Sequence, residues 1–331
     1  MLPMADVNLL SISSGENNRG GEENRYECLS RAFPDRVQKD AVLARYTASR
    51  IGGPADVLIE VQSSEEIEAL VSLCWRNNIP VFILGGGSNV LVSDRGFRGV
   101  VVLNRARRIE FDETPGAAGV WAESGANFGL ISRQAGLRGL SGLEWAVGIP
   151  GTLGGAVVGN AGAHGADMSG NLVLAEILHL PGQDVERVEW PVEKLGYAYR
   201  SSLLKQQPGK FVVLAAALRL ESSTVEEVQA KMEMFNQRRQ RTQPPGATMG
   251  SMFKNPEGNH AGRLIDAAGL KGTCIGDAEI STRHGNFFIN RGAATAADFS
   301  ALIELAQREV FEKFGIQLEL EVERIGDWQA E

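Results

Sequence analysis

The chain has 331 residues, 43% of them hydrophobic, so it exceeds one ordinary core and we expect two or three domains. Its 41 acidic and 33 basic residues give a net charge of −8, which argues against nucleic acid as the main partner, since phosphate backbones bind basic surfaces. Three scattered cysteines, Cys28, Cys74 and Cys274, form no disulfide or metal-ligand pattern and favour a reducing cytoplasm. No apolar run reaches the roughly 20 residues of a membrane span, so no membrane association is expected.

The predicted elements begin after a polar N-terminal segment. Residues 1–38 include an apolar-poor stretch at 15–25 and are predicted to be a flexible extension. Residues 39–103 follow a β-α-β pattern, in which open α/β sheets bind ligands at the carboxyl ends of their strands. Strands are predicted at 56–61, 81–84 and 100–103, and a helix begins at Ser63 or Ser64.

The remaining chain divides into two further predicted units. In residues 104–222 we predict strands at 120–122, 174–180 and 211–220, and a helix at 127–136 that ends at its glycine. In residues 223–331 we predict helices at 224–238 and 261–268, a helix capped by Thr295 and closed by Gly315, and strands at 286–290 and 316–325.

Two glycine-rich segments are the most informative feature. Seven glycines lie within the 18 residues Gly148–Gly165, and a second loop, Gly85-Gly-Gly-Ser-Asn89, directly follows a predicted strand. Bare backbone can approach a ligand closely and direct several N–H groups at phosphate oxygens. One such loop alone would indicate a tight turn, whereas two favour one diphosphate bound from both sides. Rossmann and Walker patterns are absent, so a nucleotide would bind on another scaffold.

Three polar side chains are candidates for chemistry, each with a plainer alternative. Ser251 is typical of a cap or turn, or it could donate a proton. Arg200 could be a solvated residue at a strand end, or a guanidinium fork for a carboxylate. Glu319, Glu321 and Glu323 alternate with apolar residues, which by default indicates a row facing solvent. The four histidines show no metal spacing and are predicted to be surface or capping residues.

Taken together, these segments resemble the UDP-N-acetylenolpyruvoylglucosamine reductases, the MurB family of flavoenzymes. The resemblance extends from about Tyr46 to Ile325 and rests on an ordered set of motifs. The direct passage from Asn160 through Arg200 to Ser251 resembles the shorter members, which lack an extra tyrosine-bearing loop. The matching stretches are 50–56, 84–89, Gly148-Ile-Pro-Gly-Thr-Leu-Gly-Gly155, 160–163, 199–200, Gly250-Ser-Met-Phe-Lys-Asn-Pro256, 269–272, 284–287, 290–296 and 321–322.

The resemblance implies an α+β architecture: a two-lobed FAD-binding fold of the vanillyl-alcohol-oxidase type, at 39–103 and 104–222, with a C-terminal α/β substrate domain at 223–331. It implies bound FAD, NADPH as co-substrate, UDP-N-acetylglucosamine enolpyruvate as substrate, and a cytoplasmic monomer without a metal. The expected catalytic residues are Arg200, Ser251 and Glu321, and the expected substrate contacts are Tyr199, Lys254 and Asn255. The expected FAD contacts are Gly85, Gly86, Gly87, Ser88, Asn89, Gly148, Ile149, Pro150, Gly151, Thr152, Gly155, Asn160 and Gly162.

Two alternatives remain open. Another FAD-dependent oxidoreductase of this fold, such as an alcohol or lactone oxidoreductase, would share the glycine loops without the 251–256 segment and the late glutamate. A non-enzymatic nucleotide-sugar or flavin binding protein would need neither a proton donor nor a catalytic acid.

Overall fold

The computed structural model describes residues 26–182 and 184–328, so the polar stretch at 15–25 lies outside the described residues. The prediction that the extension continues to residue 38 is wrong. Helix α1 (Glu27–Ala32) buries Leu29 in the core of the first lobe. Arg36 donates two hydrogen bonds of 2.8 Å to the Glu66 carboxylate, one from each terminal nitrogen. The first lobe therefore includes residues 26–38, because an apolar helix face and a bidentate ion pair attach them.

The first lobe is a four-stranded sheet covered by one long helix. The helix is capped by Ser63, whose Oγ accepts a hydrogen bond from the Glu66 N–H, and it buries Ile67, Leu70 and Cys74 as its spacing predicts. The sheet order is β1-β2-β5-β3, with β1 antiparallel and the other strands parallel, so β3 delivers the Gly85–Asn89 loop at the carboxyl edge. The elements are β1 (Val37–Val42), β2 (Pro54–Val61), α2 (Ser64–Arg76), β3 (Val81–Leu84), β4 (Val90–Val92) and β5 (Phe97–Asn104).

The second lobe is an antiparallel five-stranded sheet of order β12-β11-β13-β7-β6, with helices packed on it around Phe128 and Trp145. Its sheet strands are β6 (Ile109–Asp112), β7 (Gly119–Glu123), β11 (Leu172–His179), β12 (Glu186–Pro191) and β13 (Phe211–Arg219). Its helices are α3 (Phe128–Leu137), α4 (Leu153–Gly159), α5 (Met168–Asn171) and α6 (Leu203–Gln206). Short strands β8 (Leu140–Ser141) and β14 (Glu221–Ser222) pair, as do β9 (Gly162–Ala163) and β10 (Ala166–Asp167), and 3-10 turns lie at Leu43–Tyr46, Glu144–Ala146 and Val192–Leu195.

Gly136 does not end helix α3 as predicted. The helix continues through Leu137, and the left-handed residue that follows it is Gly139, with φ +67°. A Cβ at Gly136 would lie 2.9 Å from Met232 Cε. The residue therefore lies in a close contact with a neighbouring helix and does not cap its own.

That neighbouring helix, α7 (Val225–Thr242), packs on the second lobe. Its buried Val228 and Met232 form one cluster with Val147. We therefore propose a boundary for the C-terminal domain near Gln243, at the end of this helix, instead of Ser223.

The C-terminal domain packs two helices against a three-stranded sheet of order β15-β16-β17. Thr295 and Asp298 form the capping box of its long helix, which ends at Gly315 with φ +68°, as the sequence predicts. The elements are α8 (Ala261–Ala267), β15 (Cys274–Ile275), β16 (Ala278–Ile280), β17 (Phe288–Asn290) and α9 (Ala296–Phe314). Across the described ranges, every helix is too short or too polar to cross a lipid bilayer.

The predicted last strand is shorter than expected. Only β18 (Glu323–Ile325) is regular, and it pairs in parallel with β4 of the first lobe. Before it, Leu318 and Val322 enter the C-terminal core, while Leu320 makes a single bridge to Phe253. The segment changes partners between two domains, so it forms no continuous ladder. This crossing brings Glu321 to the junction of the domains.

Candidate functional site

One cleft of about 1070 Å³ is lined by all three units of the fold. It joins the prospective catalytic side chains Arg200, Ser251 and Glu321, although they are far apart in sequence. Gly148 and Lys254 are the two predicted site residues that do not line it. The others that do are Gly85, Gly86, Gly87, Ser88, Asn89, Ile149, Pro150, Gly151, Thr152, Gly155, Asn160, Gly162, Tyr199 and Asn255. The structure therefore brings most of the predicted site residues to one cleft.

The two glycine loops pack against each other along the floor of this cleft. A Cβ at Gly86 would lie 2.9 Å from Gly151 Cα, and Ser88 Oγ donates a 3.2 Å hydrogen bond to the Pro150 carbonyl. Gly151 has φ +109°, a conformation that side chains disfavour. The contact therefore needs glycine, and it leaves bare backbone on both sides of the cleft. This cradle of bare backbone on two sides of a cleft fits a diphosphate, so these loops remain the predicted site for that part of FAD.

The contact between the loops yields a first testable prediction. Gly86→Ala should weaken FAD binding by about 10-fold or more, because the added methyl must push the two loops apart. The measurement is a titration of the protein with FAD in which binding is detected by the quenching of flavin fluorescence. Gly170→Ala is the matched control, since nothing lies within 4 Å of its Cβ position and it is outside the cleft lining. Equal FAD affinity in both variants would contradict the prediction.

Asn160 has a structural role in addition to lining the cleft. Its amide donates a 3.1 Å hydrogen bond to the Ala198 carbonyl, and its oxygen accepts one from the Ser169 N–H. It adopts a left-handed conformation, with φ +44°. Asn160 thus attaches the glycine-rich segment to the turn that carries Arg200.

Arg200 occupies the tip of that turn. Ala198 and Ser201 exchange two backbone hydrogen bonds of 3.1 Å, and Arg200 itself has φ +56°. The alternative of a solvated arginine at a strand end is wrong, because the side chain is only 25% exposed and lies in the cleft. Its Nε is 3.1 Å from Glu321 Oε1. Among the described residues, this Nε has no partner in hydrogen-bonding geometry, so the contact is an ion pair.

Glu321 is a largely buried carboxylate beside several cations. Burial raises its pKa above the ordinary value, while Arg200, Lys205 and Lys254 oppose that rise. Its N–H donates to the Met252 carbonyl at 2.9 Å, and its carbonyl accepts a hydrogen bond from the Asn89 side chain at 3.2 Å. The Asn89 side chain of one glycine loop therefore helps to position the backbone of this acid.

The prediction of a solvent-facing row of carboxylates holds only at Glu319, whose side chain is 71% exposed. Glu321 and Glu323 both line the cleft, and burial raises the pKa of each. The alternation is real, but Glu321 and Glu323 face the cleft, where Arg200 and Lys205 of the second lobe are their charged neighbours.

Lys205 is a functional candidate that no sequence motif indicates. Its Nζ donates long hydrogen bonds of 3.4 Å to the carbonyls of Arg200 and Glu321. Burial lowers its pKa, as do the neighbouring cations, Lys254 foremost. The lysine therefore joins the two segments that carry the ion pair. The sequence shows that Lys205 follows Arg200 by five residues, but no sequence spacing connects Lys205 with Glu321.

The predicted proton donor and substrate contacts lie at the C-terminal side of the cleft. Ser251 forms a backbone bridge to Phe287, and its hydroxyl donates no hydrogen bond within the described ranges, so it is available to a ligand. Tyr199 is 56% exposed, and its hydroxyl accepts a 3.4 Å hydrogen bond from the Asn255 N–H. Lys254 lies just outside the lining and pairs with Glu319.

The burial of Glu323 yields a second prediction, concerning stability. A raised pKa means that the folded protein holds this proton more tightly than the unfolded chain, so stability falls as pH rises above the ordinary value of 4.5. Glu323→Gln removes that penalty. Between about pH 4.5 and about pH 7, its unfolding free energy should therefore rise relative to that of the parent, as measured by urea unfolding. Exposed Glu312→Gln is the control, and its unfolding free energy should change with pH as that of the parent does. If the pH profile of Glu323→Gln were also parallel to that of the parent, the prediction would be contradicted.

Of the four histidines, only His260 is exposed, and the other three are partly buried. The His164 ring stacks on Phe235 with centroids 4.2 Å apart, and His179 stacks on Phe211 at 4.6 Å. His284 is half-buried, and its Nδ1 accepts a hydrogen bond from the Asn286 N–H. Ring packing, which has no local sequence signature, holds the first two.

Two family models match this chain. Residues 55–178 match the FAD binding domain family, and residues 240–325 match the C-terminal domain of UDP-N-acetylenolpyruvoylglucosamine reductase. The first match includes most of both lobes, and the second begins at the end of α7. The expected FAD-binding α+β fold with a separate C-terminal domain is thereby confirmed.

Curated relatives and a solved structure resemble the chain over most of its length. It is 43% identical to the UDP-N-acetylenolpyruvoylglucosamine reductase of Chloroflexus aggregans, covering 89% of this chain and 99% of the relative. It is also 43% identical to the reductase of Rubrobacter xylanophilus, covering 90% and 98%. The crystal structure of the reductase from Thermus caldophilus superposes with a TM-score of 0.73 at 36% identity, covering 87% of this chain and 98% of that one.

Proposed function

Since the chain belongs to the UDP-N-acetylenolpyruvoylglucosamine reductase family, we propose that it reduces the enolpyruvyl ether of UDP-N-acetylglucosamine to UDP-N-acetylmuramate, a step of peptidoglycan precursor synthesis, with NADPH as the reductant. The observation that carries the proposal is the ion pair of Arg200 and Glu321 in one cleft with Ser251 and the glycine cradle.

Bound FAD would supply the hydride chemistry, receiving a hydride from NADPH and delivering one to the terminal carbon of the enolpyruvyl group. The two glycine loops would bind its diphosphate. The contribution of the other cleft residues is to place the substrate and to supply the charge and the proton that the addition requires.

Arg200 would bind the substrate carboxylate. Negative charge develops on the carbon that bears this carboxylate once a hydride has been added to its neighbour, and a fixed cation stabilises that charge most where water is excluded. The guanidinium is three-quarters buried and already oriented by Glu321. Lys205, bonded to the carbonyl of Arg200, would keep the left-handed turn in place.

Ser251 would donate the proton that completes the addition. Its hydroxyl lines the cleft and is free for a ligand, which a proton donor requires. The resulting alkoxide would need nearby positive charge, which Arg200 and Lys205 supply from the same cleft. Tyr199, Lys254 and Asn255 would contact the substrate at the exposed side of the cleft.

Glu321 would otherwise repel the substrate carboxylate. Two features of the chain reduce that repulsion: the ion pair with Arg200, and the burial that raises the pKa of the acid. We propose that Glu321 orients Arg200 before the substrate arrives and is protonated when the substrate carboxylate takes the guanidinium.

We propose that a monomer in the cytoplasm carries out the reaction. The three cysteines, Cys28, Cys74 and Cys274, are free thiols, which supports a reducing cytoplasm.

The proposed function is tested by the visible absorption of the purified protein before and after NADPH. The account predicts a yellow protein that NADPH bleaches and that the enolpyruvyl sugar recolours in the absence of oxygen. A colourless protein that remains so after addition of FAD would favour a binding protein. A protein that NADPH bleaches, and that is recoloured by the carbonyl product of an alcohol or by a lactone but not by the enolpyruvyl sugar, would favour another flavin oxidoreductase.

A further inference from the structure

Arg239 is a cation in the cleft without a counter-charge. It lies in the last turn of α7, it lines the cleft, and its side chain is half-buried. Within the described ranges its side chain makes neither an ion pair nor a hydrogen bond. Burial lowers its pKa, and no acidic neighbour opposes that shift. A half-buried guanidinium that lines a cleft without a counter-charge is suited to bind an anionic ligand there.

The position of Arg239 points to what that partner is. A Cβ at Gly148, the first residue of the long glycine segment, would lie 3.3 Å from Arg239 Nε. Arg239 therefore packs against the backbone of the loop that continues to Gly151. Neither glycine loop contains a lysine or an arginine, so the loops themselves would offer a diphosphate only backbone N–H groups.

A second polar group beside Arg239 also lacks a partner. His164 Nε2 is buried and makes no hydrogen bond to any described residue. The ring is fixed by its stack on Phe235 of the same helix, and it lines the same cleft. Desolvation and the adjacent Arg238 and Arg239 lower its pKa, which favours the neutral form. Two unsatisfied polar groups in one corner fit a polar ligand there better than they fit a core.

We propose that Arg239 is a phosphate-binding residue that pairs with the diphosphate of FAD at the Gly148–Gly151 loop. This inference rests on the proposed function only in taking FAD as the cofactor. The guanidinium gives the cradle a charge that its backbone lacks, and its planar fork matches two phosphate oxygens. His164 Nε2 would provide a neutral hydrogen bond at the same place.

The test is the affinity of the flavin-depleted protein for FAD and for riboflavin, measured by fluorescence quenching. Arg239→Met should weaken FAD binding by about 10- to 100-fold, the usual effect of losing a hydrogen bond to a charged group. Riboflavin, which has no phosphate, should bind parent and variant alike. Arg241→Met is the matched control, because it removes an exposed charge from the same turn and should leave both affinities unchanged.

Two further readouts separate binding from folding. Arg239→Lys should recover part of the FAD affinity, since it keeps the charge and loses the fork. Added salt should weaken FAD binding to the parent more than to Arg239→Met. Unchanged FAD affinity in Arg239→Met, or an equal loss for FAD and riboflavin, would overturn the inference. The inference would also be overturned if Arg239→Met lost affinity only for 2′,5′-ADP, which carries the 2′-phosphate of NADPH. The arginine would then bind the co-substrate and not FAD. A parent that binds no flavin at all would instead count against the proposed function.

Discussion

Ser251→Ala should slow reoxidation of the reduced protein by the enolpyruvyl sugar by a factor of about 10² or more, while bleaching by NADPH keeps its parental rate. The asymmetry is expected because only the second half-reaction needs a proton donor, and loss of such a donor usually costs 10²–10⁴-fold. The hydroxyl lines the cleft without an internal partner, so its removal leaves no buried group unsatisfied. Stopped-flow absorbance measures the two rates separately on one sample.

Two controls make this result specific. Ser251→Cys keeps an acidic proton at the same position and should recover part of the rate. Ser300→Ala, on the exposed side of α9, should change neither half-reaction. A parental rate of reoxidation in Ser251→Ala would remove this serine from the mechanism, and equal slowing of both halves would indicate a distorted cleft.

Arg200→Met should lower the rate of reoxidation by the enolpyruvyl sugar by about 10²–10³-fold, the scale of losing one preorganised group that stabilises developing charge. The variant also leaves Glu321 without the cation that lies 3.1 Å away. The pKa of Glu321 should therefore rise further, because burial would act with less opposition. Arg200→Lys should also be impaired, since a point charge does not reproduce a planar fork.

The coupling of Arg200 with Glu321 can be measured by a double-mutant cycle on the same rate. If the acid acts by orienting the arginine, Glu321→Gln should cost much less in the Arg200→Met background than in the parent. Additive losses would mean that Glu321 acts on the substrate independently. Arg308→Met, an exposed arginine on α9, serves as the control for loss of charge. A near-parental rate in Arg200→Met would contradict its assigned role.

Local signals predicted the parts of the fold that local physics determines. Thr295 and Gly315 delimit α9 because a capping box and a left-handed glycine act within a few residues. The position of the Gly85–Asn89 loop after β3 was also predictable, because the apolar run of that strand can be recognised from the sequence. Gly86 and Gly151 each belong to a local motif, although the contact between them is not local.

Contacts between distant segments were not predictable in this way. By local rules Gly136 should end a helix, yet the helix continues past it, and a Cβ there would lie 2.9 Å from Met232, nearly a hundred residues away. Glu323 belongs to a pattern typical of a half-exposed strand, and its burial arises from pairing with the first lobe. Lys205 and Arg239 stand outside any motif, and only the assembled cleft shows what surrounds them. Resemblance to the family identified Arg200, Ser251 and Glu321 together, which spacing alone could not do.

The most direct test of the account is a single-turnover experiment without oxygen. Protein reduced with one equivalent of NADPH is mixed with UDP-N-acetylglucosamine enolpyruvate, and visible absorbance and products are followed together. We expect rapid return of the yellow colour, with one UDP-N-acetylmuramate formed for each flavin reoxidised. Reduced protein that stays bleached with this sugar, and recolours only when oxygen is admitted, would contradict it.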